Sequence, residues 1–237
     1  MLTVIDNRAL NAGVFELTLG GAAEEMRAGQ FVEIAAEGFY LRRPISVARF
    51  SDGVLTLIIK IVGGGTDRLS RLTRGDRADV LTGLGHGFDT AAERPLLIGG
   101  GIGCAPLYQL AAEFAAKGIA PEIVLGFRNR EEIYYLEEFG RYGSVTVATD
   151  DGSEGFKGNV LQTVREKGIG FDRFYACGPA AMLRAAASAL PCGQISLEAR
   201  MGCGFGACMG CSIKTTDGFK RVCKEGPVFE AAEVIWE

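Results

Sequence analysis

The chain has little histidine, no long apolar run and no excess of positive charge. His86 is the only histidine among 237 residues, which argues against a mechanism built on histidine acid–base catalysis, and its loop sequence GLGHGF indicates a surface position. A formal net charge of −4 excludes the basic field that binds nucleic acid or an anionic membrane. No segment reaches the roughly 18 apolar residues of a spanning helix. We therefore expect neither nucleic acid nor membrane as a partner.

The N-terminal sequence lacks the charged-then-apolar layout of a signal peptide, so the expected location is the cytoplasm. Disulfides are rare in that reducing compartment. The chain nevertheless has seven cysteines, an odd number, and four of them lie in the segment EARMGCGFGACMGCSIKTTDGFKRVCKEGP, residues 198–227. This clustering predicts metal or redox chemistry.

The first part of the chain, residues 1–92, has the pattern of an antiparallel β-barrel. The segments VFELTLG, QFVEIAA, GVLTLIIKIV and DRADVLTGLGHGF are rich in apolar and β-branched residues and are separated by glycine-containing turns. A short helix is expected at TDRLSRL, with Thr66 as its N-cap.

The pattern changes at residue 93. Four strand–helix pairs follow up to residue 192, which is typical of an α/β domain with a parallel sheet. Residues 193–237 are too few to fold on packing alone, so we expect a covalent cross-link or a bound metal to stabilise them. The predicted fold class is thus α+β and multidomain: a barrel, an α/β domain and a small C-terminal module.

The four clustered cysteines have the spacing C-x4-C-x2-C-x11-C: Cys203, Cys208, Cys211 and Cys223. Four thiolates bind either zinc or a [2Fe–2S] cluster. Only Cys208 and Cys211 have the short C-x2-C spacing of structural zinc sites, whereas the C-x4-C-x2-C order is that of plant-type [2Fe–2S] sites. The spacing favours the cluster. The other cysteines, Cys104, Cys177 and Cys192, are interpreted as buried or nicotinamide-side thiols.

Two further motifs are consistent with phosphate binding. Gly99, Gly100, Gly101 and Gly103 lie between an apolar strand and a helix, where glycines let backbone amides approach a pyrophosphate. Their spacing departs from G-x-G-x-x-G, and a tight strand-to-helix turn is the alternative. In YLRRPISVARF, Arg43 beside Pro44 is placed to neutralise a phosphate, and the alternative is an edge strand with two solvated arginines.

The ordered set RRPISV, VGGGT, IGGGIGCAPL, TDDGSEGFKGNV, YACGPAAML and EARMGCGFGACMGC spans nearly the full chain. It resembles the electron-transfer subunit family of dihydroorotate dehydrogenase B, in the ferredoxin–NADP reductase superfamily. The resemblance implies an FAD-binding barrel, an NAD-binding α/β domain and a [2Fe–2S] module. The FAD contacts it implies are Arg43, Pro44, Ile45, Ser46, Ile58, Ile59, Lys60, Gly65 and Thr66.

The same resemblance implies that Gly99, Gly100, Gly101 and Gly103 approach NAD. It implies that Cys177, Gly178 and Pro179 lie near the nicotinamide and the flavin, with Cys177 as the catalytic residue. The loop that begins at Asp150 and Asp151 follows a strand's carboxyl end, where such sheets bind ligands. Arg128 and Arg130 are candidates for binding an NADP 2′-phosphate, although the resemblance implies NAD.

The implied partner is an FMN-containing dihydroorotate dehydrogenase catalytic subunit of pyrimidine biosynthesis, with a heterotetramer as the implied assembly. Two alternatives stay open at this point. One is a subunit of another NAD(P)H-linked ferredoxin or sulfur-compound oxidoreductase built from the same modules. The other is a non-enzymatic interaction module stapled by zinc.

Overall fold

The computed structural model describes residues 1–236 and contains two seven-stranded sheets and a two-stranded one. The first sheet is antiparallel and has the strand order β6-β1-β2-β5-β4-β3-β7. Its strands are β1 (Leu2–Asn11), β2 (Val14–Gly20), β3 (Phe31–Ile34), β4 (Arg43–Ser51), β5 (Val54–Lys60), β6 (Arg77–Ala78) and β7 (Val80–Leu84). Only Asp79 separates β6 from β7 in the chain, so the two edges of the sheet meet and the sheet curls into a nearly closed barrel.

The barrel interior is filled by the alternating apolar residues of these strands. Leu17, Leu19, Leu55 and Leu57 are fully buried there. Strand β4 pairs with β3 through Arg43 to Ser46 and with β5 through Val47 to Ser51. Arg43 to Ser46 therefore have a hydrogen-bonded neighbour on one side only.

Helix α1 (Gly64–Ser70) follows β5 and begins earlier than the sequence pattern predicts. Thr66 is not its N-cap. It lies in the first turn, where its Oγ1 accepts the Val62 backbone N–H at 2.9 Å and donates to the Gly63 carbonyl at 3.0 Å. The hydroxyl thus ties the helix to the loop before it.

The second sheet has the order β11-β10-β9-β8-β12-β13-β16 and is parallel except for its last strand. Its strands are β8 (Pro95–Gly100), β9 (Glu122–Phe127), β10 (Ser144–Thr149), β11 (Phe156–Lys157), β12 (Arg173–Cys177), β13 (Gly193–Ser196) and β16 (Val228–Glu230). The helices of this layer are α2 (Cys104–Ala116), α3 (Leu136–Gly140), α4 (Val160–Glu166) and α5 (Ala180–Ala189). The predicted strand–helix alternation is confirmed.

The C-terminal segment contributes to this sheet as well as to its own hairpin. Strands β13 and β16 fall within residues 193–237 yet extend the parallel sheet, whereas β14 (Ser212–Thr215) and β15 (Gly218–Arg221) form a separate antiparallel hairpin. The division of the chain at residue 192 stays a prediction, and the sheet pairing does not follow it.

The barrel, the α/β layer and the cysteine module are joined by common clusters of buried apolar residues. One apolar cluster joins Ile58 of the barrel to Phe114 and Tyr175 of the α/β layer. Another joins Phe31 of the barrel to Phe174 of the sheet and to Cys211 and Cys223. The cysteine module is therefore packed against both other parts. Within residues 1–236, no helix has the length and apolar character that crossing a membrane requires.

Candidate functional site

A cleft of about 330 Å³ lies between the barrel and the α/β layer. Nearly all the residues predicted to contact a flavin line it: Arg43, Pro44, Ile45, Ser46, Ile58, Ile59, Lys60 and Thr66. Its other wall consists of residues from the α/β layer and the segment before the cysteines, among them Gly103, Cys177, Leu197 and Met201. We call it the first cleft. The structure thus brings together residues from both halves of the chain.

Gly65 does not line the first cleft, but it is packed against Arg43, which does. A Cβ atom at position 65 would lie 2.2 Å from Arg43 Nε, so only glycine leaves room for the guanidinium. The guanidinium also lies over the Phe39 ring, with Cζ 4.9 Å from the ring centroid. These contacts hold a cation at the mouth of the cleft, where an anionic group would bind.

A second cleft, also about 330 Å³, lies at the carboxyl ends of the parallel strands. Gly100, Gly101, Arg128, Asp150 and Gly178 follow or end four different strands and line it. Ligands of open α/β sheets bind at this edge. The position agrees with the nucleotide site that the glycine loop predicts.

The four glycines of that loop do different things. Gly100 and Gly101 line the second cleft and Gly103 lines the first. Gly99 lines neither cleft. A Cβ at position 99 would lie 2.7 Å from Cys104 Sγ, so glycine at this position allows helix α2 to pack on strand β8. At Gly103, a Cβ would lie 2.4 Å from the Cys177 carbonyl oxygen. The alternative of a tight structural turn therefore accounts for Gly99 and for part of the role of Gly103.

The two clefts meet at Lys60, Ile102 and Glu198, which line both. A group bound in one cleft would therefore lie beside a group bound in the other. Cys177 lines the first cleft, and the next two residues, Gly178 and Pro179, line the second. The predicted meeting point of nicotinamide and flavin coincides with this junction.

Cys177 is fully buried in the sheet, at the end of β12. Burial raises the pKa of its thiol to about 12, the charge of Glu198 adds to this, and a hydrogen bond with Ser196 opposes it. The side chain is thus a neutral thiol at physiological pH. It is suited to shaping the junction and unsuited to acting as a thiolate nucleophile.

Glu198 is a site residue that no motif in the sequence indicated. Desolvation raises the pKa of its carboxyl, and it is the only acidic residue in the lining of both clefts. The one feature of the sequence that could have indicated a role for Glu198 is its position at the start of the cysteine segment, in SLEARMG. Nothing local indicates that this position lines the same two clefts as Lys60.

The four clustered cysteines form two pairs. The Cys203 sulfur accepts the backbone N–H groups of Ala207 at 3.2 Å and Cys208 at 3.4 Å, and the Cys208 side chain also hydrogen-bonds to it. The Cys211 sulfur accepts the backbone N–H of Cys223 at 3.4 Å. Cys211 directly precedes strand β14 and Cys223 follows β15. The hairpin therefore closes the long x11 spacing.

The protonation of the thiols suits metal binding. Desolvation raises the pKa of Cys203, but backbone hydrogen bonds from Cys208, Phe205 and Ala207 outweigh it and bring the value to about 6. For Cys223, burial and the neighbouring Cys211 raise the pKa to about 12. A metal centre would supply the positive charge that favours the Cys223 thiolate.

The pairing bears on the choice between zinc and iron–sulfur. A zinc ion needs four ligands around one point. A [2Fe–2S] cluster has two irons with two protein ligands each, so two pairs of thiols fit it better.

The cysteine loop rests on the barrel at Glu33. This carboxyl is buried, and within the described residues neither oxygen has a hydrogen-bond partner. Gly204, which has φ +77°, leaves no room for a Cβ, since that atom would lie 2.6 Å from Glu33 Cγ. Burial raises the pKa of Glu33 to about 7, against the opposing charges of Arg42 and Arg43. No sequence motif indicated that a buried carboxyl lies between Arg43 of the first cleft and the cysteine loop.

Two family models match the chain. The iron-sulfur cluster binding domain of dihydroorotate dehydrogenase B matches residues 198–235, and the oxidoreductase NAD-binding domain matches residues 97–188. Among solved structures, an NADH-dependent reduced ferredoxin-NADP oxidoreductase has a TM-score of 0.90 at 29% identity, covering 100% of this chain and 90% of that one. The fold and site define a ferredoxin-reductase-like oxidoreductase subunit with a C-terminal iron–sulfur domain.

Curated relatives identify the family within that class. A protein of Geobacillus sp. (strain WCH70) is 42% identical over 250 aligned positions, covering 99% of this chain and 97% of the relative. One from Fusobacterium nucleatum is 40% identical, with 98% and 96% covered. Both are named dihydroorotate dehydrogenase B (NAD(+)), electron transfer subunit. The chain belongs to this family of electron transfer subunits, as the motifs had indicated.

Proposed function

We propose that this chain carries electrons between NAD⁺ and a dihydroorotate dehydrogenase catalytic subunit in pyrimidine biosynthesis. FAD would bind in the first cleft, NAD in the second, and a [2Fe–2S] cluster at the four paired cysteines. FAD exchanges electron pairs with NAD and single electrons with a cluster, and this is the chemistry that links the two ends.

One observation carries the proposal: the first cleft borders both other sites. On one side it joins the second cleft at Lys60 and Glu198. On the other side its lining includes Met201, two residues before Cys203. A cofactor in the first cleft would therefore lie between the nucleotide and the cysteines.

The roles of the chain's own residues follow from their positions. Arg43 and the loop ordered by Thr66 would bind the FAD pyrophosphate, and Ile45, Ser46 and Ile58 would hold its ring system. Gly100 and Gly101 would admit the NAD pyrophosphate to the strand ends, with Gly178 and Pro179 beside the nicotinamide. Cys177 would lie beside the two ring systems as a neutral thiol and leave them in contact.

The partner side of the proposal rests on the family. The relatives are named electron transfer subunits, which implies a separate catalytic subunit. We propose that this subunit contains FMN, that its electrons pass through the cluster and FAD to NAD⁺, and that the complex is a heterotetramer. A cytoplasmic location is supported by the cysteines, all seven of which are free in the structure.

Reconstitution tests this function. The chain with FAD and cluster should oxidise NADH with an artificial acceptor but should not oxidise dihydroorotate. Adding the catalytic subunit should restore NADH formation from dihydroorotate, and a Cys203→Ser or Cys223→Ser variant should not support it. Dihydroorotate turnover by this chain alone, or full activity of the pair without the cluster, would contradict the proposal.

A second candidate is a subunit of a ferredoxin-linked NAD(P)H oxidoreductase, favoured by the full-length structural match to the NADH-dependent reduced ferredoxin-NADP oxidoreductase. The co-purifying partner separates the two candidates, because both would have the same cofactor spectrum. A colourless protein that contains zinc and no iron would instead support the non-enzymatic module.

A further inference from the structure

A short segment of the α/β layer, residues 132–135, is bonded to the barrel at two points. It lies between strand β9 and helix α3, and we call it the connecting segment. Asn11 Nδ2, at the end of β1, donates to the Glu132 carbonyl at 3.1 Å. The Tyr135 hydroxyl donates to the carboxylate of Glu16 on β2. The barrel therefore fixes both ends of the connecting segment.

Tyr134, in the same segment, is bonded to the glycine turn of the nucleotide cleft, Gly101–Gly103. Its hydroxyl has one proton, which the Gly101 carbonyl at 3.1 Å and the Ile102 carbonyl at 3.3 Å share. The residue is 5% exposed, and burial raises the pKa of its phenol well above the usual value, so the hydroxyl stays a donor. Its ring packs edge-on against Phe127, which lines the second cleft, with 5.7 Å between the ring centroids. Tyr134 thus supports two segments of the cleft wall from behind.

The carbonyl contacts determine which way the amides of the glycine turn point. Both peptide bonds concerned are trans, so each N–H points opposite to the C=O that precedes it. With the carbonyls of Gly101 and Ile102 directed at Tyr134, the N–H groups of Ile102 and Gly103 point away from it. Ile102 lines both clefts and Gly103 lines the first, whereas Tyr134 lines neither. The turn between the clefts is therefore held from its far side.

The glycine turn needs such a contact because its backbone has little preference of its own. Gly101 has φ +54°, and a glycine reaches this and many other conformations at similar cost. The hydroxyl of Tyr134 selects one of them.

We propose that Tyr134 is a positioning residue for hydride transfer, which together with Tyr135 fixes the glycine turn relative to the barrel. Barrel strands wall the first cleft and the glycine turn separates it from the second, so rings bound in the two clefts take their separation from how the barrel and the turn are joined. The inference rests on the proposed function, in that it assigns FAD and NAD to the two clefts.

The geometry matters for the chemistry of that step. NADH and FAD give NAD⁺ and FADH⁻: a C–H bond of the nicotinamide breaks, an N–H bond of the flavin forms, and both electrons move with the hydrogen. The reacting atoms have to approach to about 3–3.5 Å, and a small misplacement costs much of the rate. Two adjacent tyrosines, one bonded to the turn and one to the barrel, control that approach.

The first test follows flavin reduction by NADH in the protein with its FAD and cluster. Stopped-flow absorbance gives the limiting rate constant and the NADH concentration at half-saturation. In Tyr134→Phe the limiting rate constant should fall about tenfold, because the turn is no longer held in place. The half-saturating concentration should stay within about twofold of the wild-type value, because the hydroxyl does not line the cleft. A wild-type rate constant in this variant would overturn the proposal.

Tyr175→Phe is the matched control. Tyr175 is also buried in the α/β layer, and its hydroxyl donates to Asp89 Oδ1 at 3.1 Å, as far as the Tyr134 hydroxyl is from the Gly101 carbonyl. Tyr175 lines neither cleft. The control loses a comparable bond and should keep the wild-type rate constant. Equal losses of rate in the two variants would indicate general destabilisation and would overturn the proposal.

The second test reads the glycine turn without turnover. Amide hydrogen exchange of the holoprotein, followed in peptides that cover residues 101–104, should be about tenfold faster in Tyr134→Phe than in the wild type. The same peptides of Tyr175→Phe should exchange at the wild-type rate. Unchanged exchange in Tyr134→Phe would show that the hydroxyl does not hold the turn, and the proposal would fail.

The link to the barrel is tested with Tyr135→Phe. If the two hydroxyls act in series, Tyr135→Phe should also slow flavin reduction, and the double variant should be little slower than Tyr134→Phe alone. Losses of rate that multiply would mean that the hydroxyls act independently and would overturn their coupling. A wild-type flavin that NADH does not reduce would contradict the proposed function, whereas the exchange measurement would still decide whether Tyr134 holds the turn.

Discussion

The Tyr135 hydroxyl, just before helix α3, donates a hydrogen bond to the Glu16 carboxylate on strand β2 of the barrel. Both residues are buried, and the bond crosses from the α/β layer to the barrel. Arg8 completes the arrangement by donating to Glu16 from Nε at 3.1 Å and Nη2 at 2.7 Å. This cluster attaches the α/β layer to the barrel, and the first cleft lies between those two parts.

Removing the Tyr135 hydroxyl should weaken that attachment. Tyr135→Phe keeps the ring but leaves Glu16 without one of its donors in a buried site. We expect the free energy of unfolding to fall by about 1–2 kcal/mol, measured by chemical denaturation at pH 7. Tyr40→Phe is the control, because Tyr40 is 100% exposed, and it should leave stability unchanged. Equal stability of the two variants would contradict the role of the bond.

The same cluster predicts an acid-sensitive contribution to stability. Burial acts to raise the pKa of Glu16, but the hydrogen bonds from Arg8 and Tyr135 outweigh it and the net pKa is lowered from 4.5. A carboxyl with a lowered pKa in the folded state stabilises that state above its unfolded pKa, and the contribution is lost as pH falls through the folded value.

Glu16→Gln should therefore unfold more easily than the wild type at pH 7, and the difference should shrink below about pH 4. Unfolding midpoints of both proteins at a series of pH values test this. A difference that stays constant from pH 7 to about pH 3 would show that Glu16 contributes through packing rather than charge.

Cluster ligation predicts a specific loss of iron. Cys208→Ser should remove most of the iron, because Cys208 forms a pair with Cys203, while FAD should stay bound in its separate cleft. Iron and flavin contents of the purified variant measure this. Cys192→Ser is the control, since Cys192 is exposed and lies beside Arg173, away from the pairs. Full iron occupancy in Cys208→Ser would rule out the assigned ligands.

Arg43 should determine FAD affinity. Arg43→Ala removes a charge-assisted contact at the first cleft, so the affinity should fall by about one to two orders of magnitude. Gly65→Ala should have a similar effect, because its Cβ would displace the guanidinium. The control is Arg42→Ala, whose guanidinium binds Asp79 and does not line the cleft. FAD retention after dialysis distinguishes them, and unchanged retention in Arg43→Ala would indicate a solvated arginine.

Gly103 provides a steric test of the glycine loop. A Cβ at this position would lie 2.4 Å from the Cys177 carbonyl oxygen, and that atom belongs to the sheet and cannot move aside cheaply. The new Cβ would also lie 2.5 Å from Gly178 Cα, which lines the second cleft, so Gly103→Ala should weaken NADH binding and lower stability by about 1–3 kcal/mol, as overpacking does. Gly140→Ala, with no atom within 4 Å of the new Cβ, should change neither. A Gly103→Ala protein with wild-type KM and stability would contradict the close approach.

Much of this architecture could be predicted because its signals are local. The period of apolar residues located β2, β3, β5 and β7 of the barrel and the four strand–helix pairs of the α/β layer, and the spacing of four cysteines indicated the cluster. The N-cap of helix α1 was misplaced by three residues, at Thr66 instead of Gly63, because the Thr66 hydroxyl bonds to the loop from inside the first turn. The number of residues after Pro191 suggested a separate module, but backbone pairing placed two of its strands in the larger sheet.

The amino-acid sequence by itself determined the order and type of the main elements, the thiol ligands and the glycines that permit close backbone approach. These features depend on residue type and on spacing along a few turns or strands. Only the tertiary structure decided that Glu198 lines the same two clefts as Lys60, that Glu33 lies buried beneath Gly204, and that Tyr135 bonds to Glu16. Each of those arrangements brings together segments far apart in the chain. They arise from how the barrel packs on the sheet, and no local pattern of residues encodes that arrangement.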